Sequence, residues 1–387
     1  MSLSICLVTR NEEKNIERAL RSVAGLADEV LVADTGSTDR TLELAAALGA
    51  KIVPFAWRDD FSAARNFIIG KASGDWIFWM NPDEELFPAS RTLIPHCLQR
   101  EDALGFAIRV RDLVRANRQD IFTETIQPRL FRRDSGARYR SRLHPSLEVP
   151  IEELARRQGK IAYVADVVLL RHAYMSVLTR EKLLWAAHLF ELELRDRPGQ
   201  IHFLIEYGKT LLLLNDGHGH VPLAEAVEQI IPVRNAPSPP STTVGVLLEY
   251  LLTVSPEQSR SPMTRAEAME LAMRWFRRSP PVVWAVTLNL FQTGDFAGAA
   301  ALLEDLLRMG RTGEFDHSSG FDPDVMGAPA LMNLGICYVK LNDLDKAQGC
   351  FGQLLTHPAL QNQARQNFAM VQNLRAGRTA SAPQAVG

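Results

Sequence analysis

The sequence predicts two domains, an α/β domain built on a mostly parallel sheet and an all-α domain of helical repeats. In the first part of the chain, short apolar runs alternate with amphipathic helical patterns, which is typical of βαβ units. From about Ser176 onward, the strand patterns give way to leucine-rich helical periodicity. A length of 387 residues is also more than one domain usually holds.

The predicted elements of the first domain follow one another with short connections. Apolar runs predict strands at residues 3–8, 29–33, 51–55 and 75–80, and amphipathic patterns predict helices at 15–23, 40–48 and 61–72. Three further strands are predicted at 106–110, 127–131 and 161–170, where the pattern is less regular. Because ligands of parallel sheets bind beyond the carboxyl ends of the strands, the loops after the first four strands are expected to form the site.

Two stretches of the second part have the spacing of tetratricopeptide repeats. The clearer stretch places small and bulky side chains at Leu334, Gly335, Tyr338, Ala347, Phe351 and Leu354. A weaker copy is expected at Leu290, Ala299, Leu303 and Leu306, with a loop at 310–322 between the copies and a degenerate pair at 203–231. We therefore predict domains at residues 1–175 and 176–376, followed by a disordered tail at 377–387.

Composition and charge argue against several classes of partner. The net charge of −2 is unlike that of nucleic-acid-binding proteins, which usually carry a basic excess. No apolar run has the length of a signal peptide or a membrane span. The four cysteines are scattered and show neither metal spacing nor a disulfide pattern, which favours a reducing compartment. The sequence therefore predicts a cytoplasmic protein with no nucleic-acid partner and no membrane span.

The loops after the first two strands carry groups that suit a nucleoside. Asp34 ends a buried strand and can accept a hydrogen bond from the imide N–H of uracil, while Glu12 can accept one from a base or ribose. Gly36 allows a tight turn, and Ser37 or Thr38 begins the next helix, where backbone N–H groups can face an anion. Acids in such places also form turns and complement helix dipoles, and for Glu12 both roles stay open.

The loops after the third and fourth strands offer a cation and a hard oxygen ligand. Arg65 can hold phosphate oxygens in a bidentate manner, with a surface ion pair to the acids at 59–60 as the alternative. Asp83 suits Mg²⁺ or Mn²⁺ that bridges a diphosphate. Three consecutive acids stand at 83–85, and their mutual repulsion favours a bound cation over a plain turn. Such a cation would stabilise a leaving nucleoside diphosphate as a Lewis acid.

Four phrases of the sequence follow the predicted strands in order: VTRNEEKNIERALRSV, DEVLVADTGSTDRT, DDFSAARN and GDWIFWMNPDEEL. Together with RLFR at 129–132, they resemble the family-2 glycosyltransferases with the GT-A fold, particularly the bacterial subgroup that carries tetratricopeptide repeats. The resemblance implies transfer of a sugar, with inversion, from a nucleotide sugar that we expect to be UDP-linked. It also implies Mn²⁺ or Mg²⁺ bound by the second acid of a D-x-D element and by a downstream histidine.

On this resemblance, the expected metal ligands are Asp83 and His144, with His172 less favoured. The residues expected to bind the nucleotide sugar are Thr9, Asn11, Glu12, Asp34, Gly36, Ser37, Arg65 and Asn81. The sequence departs from the family pattern at Asn81, which replaces the first acid of D-x-D and implies weaker metal binding or altered ribose contacts.

A second departure concerns the catalytic base. Pro145 replaces the glutamate expected after His144, and the base role carried there is lost. Glu148 and Glu124 are the candidate substitutes, and we expect Glu148 to act with Asp83 as the catalytic pair. A thiol acceptor would need less help from a base than a hydroxyl, because part of it is already thiolate.

The identity of the acceptor stays open. Tetratricopeptide grooves commonly hold extended peptides, and the resemblance includes enzymes that glycosylate bacteriocin peptides on cysteine, so we expect a peptide or protein acceptor. Polysaccharide and lipid acceptors are alternatives, as is a nucleotide-binding scaffold without turnover. A nucleotidyltransferase is less favoured because the loop at 9–14 contains no glycine. The repeat domain is assigned to acceptor capture or to the contact of a homodimer.

Overall fold

The computed structural model describes residues 1–115, 118–172, 179–254, 260–316 and 321–381. The chain divides into two compact units, Met1–Gly217 and His218–Gly387. The domain boundary predicted at 175–176 lies outside the described residues. The last helix ends at Ser381, so the tail predicted from residue 377 begins inside that helix. Within the described ranges, no helix is long and apolar enough to cross a membrane.

The first unit contains one large sheet and a short ribbon. Its strands are β1 Leu3–Thr9, β2 Glu29–Asp34, β3 Lys51–Pro54, β4 Trp76–Trp79, β5 Glu84–Leu86, β6 Ala103–Arg115, β7 Arg118–Arg132, β8 Tyr139–Arg140, β9 Ser146–Leu147 and β10 Ile161–Arg171. Eight strands form the sheet in the order β3-β2-β1-β4-β7-β6-β10-β5, and β8 pairs with β9 in the ribbon.

The predicted parallel half of the sheet is confirmed. β1 lies between β2 and β4, β3 lies outside β2, and all three pairings are parallel. Every residue of β1 is buried, as expected for a strand covered by helices on both faces. Trp76 and Trp79 of β4 belong to separate core clusters on opposite faces of the sheet, because residues three apart in a strand face opposite sides.

The other half of the sheet differs from the prediction in length and in one strand. β6 and β7 form a long antiparallel hairpin, although the apolar pattern marked only 106–110 and 127–131. The arms extend farther because Arg109 and Arg111 pair across the strands with Glu124, and such charged residues give no apolar signal. β5 lies in a segment that the sequence assigned to a loop, and it pairs antiparallel with the end of β10.

Helices of the first unit pack on the sheet, and two more follow its last strand in the chain. They are α1 Ile16–Ser22, α2 Thr41–Ala47, α3 Phe61–Ile69, α4 Leu93–Leu98, α5 Ile151–Arg157, α6 Arg180–Asp196 and α7 Ile201–Leu213. The side chain of Asp60 begins α3 by accepting a hydrogen bond from the backbone N–H of Ala63 at 2.9 Å. α6 and α7 lie in the first unit, although the sequence assigned them to the repeat domain.

The second unit is helical throughout its described part. Its helices are α8 His220–Ile230, α9 Val244–Thr253, α10 Arg265–Trp275, α11 Pro280–Thr293, α12 Phe296–Thr312, α13 Ala328–Lys340, α14 Leu344–Gln353 and α15 Gln361–Ser381. The pairs α11–α12 and α13–α14 coincide with the two predicted repeats, and the repeat positions Ala299 and Ala347 are fully buried. Gly335 packs so closely on Phe351 that a Cβ would lie 2.5 Å from the ring.

The loop predicted at 310–322, between the two repeats, begins later than expected. α12 continues through Gly310 to Thr312, and Gly313, with φ of +70°, ends it. A Cβ at Gly310 would lie 2.7 Å from the carbonyl oxygen of Met326, so this glycine serves close packing inside the helix and not a loop. The close approach of Met326 to Gly310 is visible in the structure but not in the sequence.

Candidate functional site

The loops after β1 and β2 are tied to each other by hydrogen bonds. The side-chain oxygen of Asn11 accepts from the backbone N–H of Thr38 at 2.8 Å, and the N–H of Asn11 donates to the hydroxyl of Ser37 at 3.0 Å. The N–H of Glu12 donates to the hydroxyl of Thr41 at 2.6 Å. Two of the predicted site loops therefore lie side by side, as the parallel register of β1 and β2 requires.

Asp34 is buried at the end of β2 and uses its carboxylate to shape its own turn. One oxygen, Oδ2, accepts from the N–H of Gly36 and of Ser37, both at 3.1 Å. Gly36 has φ of +107°, a left-handed conformation that side chains disfavour. Each carboxylate oxygen has more than one acceptor position, so the turn leaves Asp34 with capacity for a ligand N–H.

Thr9 lies beside Asp34 in the register of β1 and β2. It is almost fully buried, and its hydroxyl has no hydrogen-bond partner within the described ranges. A buried hydroxyl without a partner is costly, so this group is well placed to bond a ligand at the end of β1.

Glu12 has surroundings that favour its protonated form. Burial raises the pKa of its carboxyl, the hydrogen bond from the Asn15 amide opposes that effect, and the charge of Asp83 raises the pKa further. The amide nitrogen of Asn15 is 2.8 Å from Glu12. Arg18 of α1 also lies 3.7 Å from Glu85 of β5, so the segments that follow β1 and β4 lie near each other.

The acids at 83–85 do not form a cluster of unpaired charges, contrary to the expectation of mutual repulsion, because two of the three have basic partners. Glu84 is fully buried and pairs with Arg129 at 2.7 Å. Glu85 lies 3.0 Å from His172 and 3.7 Å from Arg18. Antiparallel pairing of β5 with β10 separates the three side chains and gives two of them their own partners.

Asp83 is the remaining acid of this group and is half-buried. Its backbone carbonyl accepts from the N–H of His172 at 3.1 Å, which fixes the start of β5 to the end of β10. Burial and then the charge of Glu84 raise the pKa of the Asp83 carboxyl to about 6. No basic side chain within the described ranges forms a salt bridge with it. A desolvated carboxylate of this kind gains from a bound cation.

Arg65 extends from α3 toward the end of β4. Its guanidinium lies 4.5 Å from the ring centre of Trp79 and 4.9 Å from that of Tyr139. It donates to the carbonyl of Pro145 at 3.3 Å and to the side-chain oxygen of Asn81 at 3.4 Å. The alternative ion pair with the acids at 59–60 is therefore not formed.

His144 lies in a sharp bend after β8, with φ of +51°. Its ring centre is 5.7 Å from those of Phe190 and His202 on α6 and α7. Although part of this residue reaches solvent, loss of hydration lowers the pKa of its imidazole to about 4. Within the described ranges, no three His, Cys, Asp or Glu side chains are gathered as a set of metal ligands. The structure therefore does not bring His144 to Asp83 as part of such a set.

The two candidate bases have different surroundings. Glu124 is held by Arg109 at 2.6 Å and by Arg111 at 2.7 Å. Burial alone would raise the pKa of Glu124, but these hydrogen bonds lower it. A carboxylate with a lowered pKa is a poor proton acceptor. Glu148 is exposed after β9, and its backbone N–H donates to the carbonyl of Arg138 at 2.8 Å. No contact between Glu148 and Asp83 occurs within the described ranges.

α6 supports the bend at 141–145, a role that no pattern in the sequence predicts. The buried carboxylate of Glu193 accepts from the backbone N–H of Arg142 at 2.8 Å, and Asp196 pairs with its guanidinium at 2.6 Å. Trp185 of α6 packs against Trp57 and Phe61 with ring centres 5.6 to 6.1 Å apart. These long-range contacts explain why α6 belongs to the first unit.

Residues 4–143 match the model of the family described as glycosyl transferase family 2. This segment contains almost all of β1, all of β2 to β4, the loops that follow these strands, and the β6–β7 hairpin. The N-terminal part of the chain is therefore similar to family-2 glycosyltransferase domains, and tetratricopeptide-like helices follow it in the chain.

Relatives match this segment and little more. A TPR repeat-containing protein of Synechococcus elongatus is 43% identical over 106 residues, which are 27% of this chain and 26% of that protein. An uncharacterized glycosyltransferase of Rickettsia bellii is 42% identical over 84 residues, or 22% of this chain and 28% of its own length. The prophage-derived glycosyltransferase SunS of Bacillus subtilis is 35% identical over 79 residues, 20% of this chain and 19% of its own. The chain thus spans about a quarter of these curated relatives.

Solved structures with some likeness include two proteins with bound nucleotides. S. aureus TarS 1–349 in complex with UDP-GlcNAc is 17% identical, with a TM-score of 0.37, and the match covers 80% of this chain and 92% of that one. Glucosyl-3-phosphoglycerate synthase from Mycobacterium tuberculosis, in complex with Mn²⁺, UDP and glucosyl-3-phosphoglycerate, is 22% identical, with a TM-score of 0.33, and the match covers 49% of this chain and 78% of that one.

Proposed function

We propose that the first unit binds a nucleotide sugar, UDP-linked, and transfers the sugar with inversion to an acceptor. The observation that carries the proposal is the convergence of polar groups at the ends of β1, β2 and β4 within a segment that matches the glycosyltransferase family. Ligands of such sheets bind at this edge.

The polar residues that follow β1, β2 and β4 form two groups in the proposed donor site. The nucleoside binds between the loops after β1 and β2, where Asp34 and the unpartnered hydroxyl of Thr9 accept or donate hydrogen bonds and Glu12 contacts base or ribose. Asn11, Gly36 and Ser37 fix the turn that forms this side of the site. The diphosphate lies near Arg65 and Asn81 at the end of β4.

Mn²⁺ or Mg²⁺ is proposed to bind at Asp83, with His144 as the second protein ligand. A half-buried carboxylate that forms no salt bridge within the described ranges fits such an ion, because Mg²⁺ is usually held by one or two carboxylates together with substrate phosphates. A bound ion would supply Lewis-acid stabilisation of the charge on the departing diphosphate. Arg65 contributes positive charge from the side of α3.

The catalytic base is proposed to be Glu148, by exclusion of Glu124. Both carboxylate oxygens of Glu124 are engaged by arginines, whereas Glu148 is exposed and can take a proton from an acceptor. An acceptor thiol would make this step less demanding, since thiolate is already present in part.

The acceptor is proposed to be a peptide or protein, captured by the repeat helices of the second unit. The helix pairs α11–α12 and α13–α14 support this assignment, because stacked helix pairs offer concave surfaces for extended chains. A homodimer through the same helices is the alternative use of that surface. Cytoplasmic location remains part of the proposal.

The test is a donor screen in which nucleotide release is measured for UDP-, GDP-, dTDP- and CMP-sugars, with Mn²⁺ and with EDTA. We expect slow hydrolysis of one UDP-sugar that depends on Mn²⁺. If a sugar nucleotide is bound but none is hydrolysed, the chain is a nucleotide-binding scaffold and the proposal fails; if none is bound, both accounts fail.

A further inference from the structure

Arg65 is a half-buried cation whose polar contacts are neutral. It donates to a carbonyl oxygen of Pro145 and an amide oxygen of Asn81, and no carboxylate within the described ranges forms a salt bridge with it. Burying a charge without a counter-ion costs free energy. A cation held in this way at the rim of a site indicates an anion that binds there.

The two aromatic rings keep the guanidinium in place without cancelling its charge. Trp79 and Tyr139 lie at 4.5 and 4.9 Å from it, which is cation–π distance, and both rings are buried. Their faces attract the cation but carry no net charge. Arg65 therefore remains a full positive charge at the end of β4.

The amide of Asn81 is oriented by Glu84. Its Nδ2 donates to one carboxylate oxygen of Glu84 at 2.8 Å, and its backbone N–H donates to the other at 2.7 Å. A carboxylate can only accept, so the amide nitrogen must face Glu84 and the amide oxygen must face Arg65. Arg129 holds Glu84 in turn, at 2.7 Å. The orientation of Asn81 thus follows from a buried ion pair.

An aspartate at position 81 would cancel the charge of Arg65. A carboxylate oxygen in place of the amide oxygen would lie about 3.4 Å from the guanidinium, within salt-bridge distance. We propose that Asn81 keeps Arg65 uncompensated, so that this site binds a diphosphate through Arg65 without needing the divalent cation. The inference rests on the proposed function, since it takes a nucleoside diphosphate as the ligand. With asparagine at position 81, the negative charge of the diphosphate is neutralised more by Arg65 and less by the divalent cation.

The test measures binding by calorimetry, with pyrophosphate and UDP in EDTA and with UDP in Mn²⁺. The variants are N81D, which preserves size, R65M, which keeps an unbranched apolar side chain between the rings, and R65K, which keeps the charge. Q99E is the control, because it adds the same charge as N81D at an exposed position after α4.

In EDTA we expect N81D and R65M to bind both ligands about tenfold or more weakly, since each loses a charge-assisted contact. R65K should lose less, and Q99E should match the wild type. Mn²⁺ should increase UDP affinity by a larger factor in N81D than in the wild type. Melting temperatures monitor folding: N81D decides if R65M does not fold, and R65M compared with R65K decides if N81D does not fold, since its new carboxylate would face Glu84.

Equal affinities of wild type, N81D and R65M in EDTA would overturn the inference, even with sugar-nucleotide turnover intact. Loss of turnover is a separate result. If the variants weaken diphosphate binding but no donor is hydrolysed under any condition, the proposed function fails while the role of Asn81 stands.

Discussion

Asp83 is half-buried, lies near the negative charge of Glu84 and forms no salt bridge within the described ranges. A substitution of Asp83 tests its proposed role as a metal ligand. Asp83→Asn keeps the shape but removes the charge, so we expect turnover in Mn²⁺ to fall about 100-fold or more, as when other electrostatic groups of active sites are removed. The measurement is nucleotide release during a Mn²⁺ titration, together with the melting temperature.

Asp166→Asn is the matched control for this substitution, because the Asp166 side chain is 88% exposed on β10 and its ion pair with Arg109, at 3.6 Å, is of the exposed kind that contributes little to stability. It should leave both quantities unchanged. Mn²⁺-dependent turnover that persists in Asp83→Asn would remove Asp83 from the metal site.

At the residue scale, the sequence predicts which loops carry the site but not how each charge is compensated. The acids at 83–85 look alike in the sequence, yet the fold pairs Glu84 with Arg129, which lies 45 residues away, and brings Glu85 to His172. Such partners are set by strand pairing over long separations. The neutral contacts of Arg65 are hidden for the same reason, because Pro145 and Asn81 reach it from different elements.

The β6–β7 hairpin depends on cross-strand charges, and Glu124→Gln tests them. Loss of the pairs with Arg109 and Arg111 should destabilise the first unit by about 1–2 kcal/mol at pH 7. Because the folded pKa of Glu124 is lowered, this stabilisation is present above the ordinary glutamate pKa and is lost as the pH falls through the lowered one. Chemical unfolding at several pH values should therefore show the two proteins converging in acid.

Since both oxygens of Glu124 are engaged, its removal should leave turnover close to that of the wild type when both are folded. A large loss of kcat in folded Glu124→Gln protein would instead make Glu124 the catalytic base and exclude Glu148.

In the repeat helices, Gly335→Ala tests close packing of α13 on α14. A Cβ there would lie 2.5 Å from the ring of Phe351, so the helices must separate, and we expect a loss of about 1–3 kcal/mol. Gly349→Ala on α14 is the control, because a Cβ there meets nothing within 4 Å. It should gain about 0.5–1 kcal/mol from better helix propensity. Equal effects of the two substitutions in thermal unfolding would contradict this packing.

At the element scale, elements with one clear periodicity were predictable, and elements made by pairing were not. β1 to β4 and the helices of the two repeats have strong apolar patterns, and the structure places them where the sequence predicts. β5 has three residues, two of them acidic, and becomes a strand only because β10 offers a free edge. The charged arms of the hairpin likewise have no apolar pattern to mark them.

At the scale of the whole molecule, the extent of the first unit determines where the chain can be divided. The bend at 141–145 depends on Glu193 and Asp196 of α6, and Trp57 and Phe61 are covered by Trp185. A chain that ends before α6 would expose these aromatic rings and leave Arg142 without its partners. The leucine-rich periodicity after residue 176 is shared by helices of both units, so the sequence alone does not separate them.

We therefore expect a chain ending at Gly217 to fold and to hydrolyse the donor slowly, while a chain ending at His172 has a lower melting temperature and aggregates. Truncation at Gly217 removes the repeat helices of the second unit, so sugar transfer to a peptide acceptor should be lost while the donor site is kept. Nucleotide release reports the first activity, and mass spectrometry of the acceptor reports the second. If the chain ending at Gly217 still glycosylates the acceptor as the full chain does, the repeat helices are not the acceptor platform, and their surface is left for dimer formation.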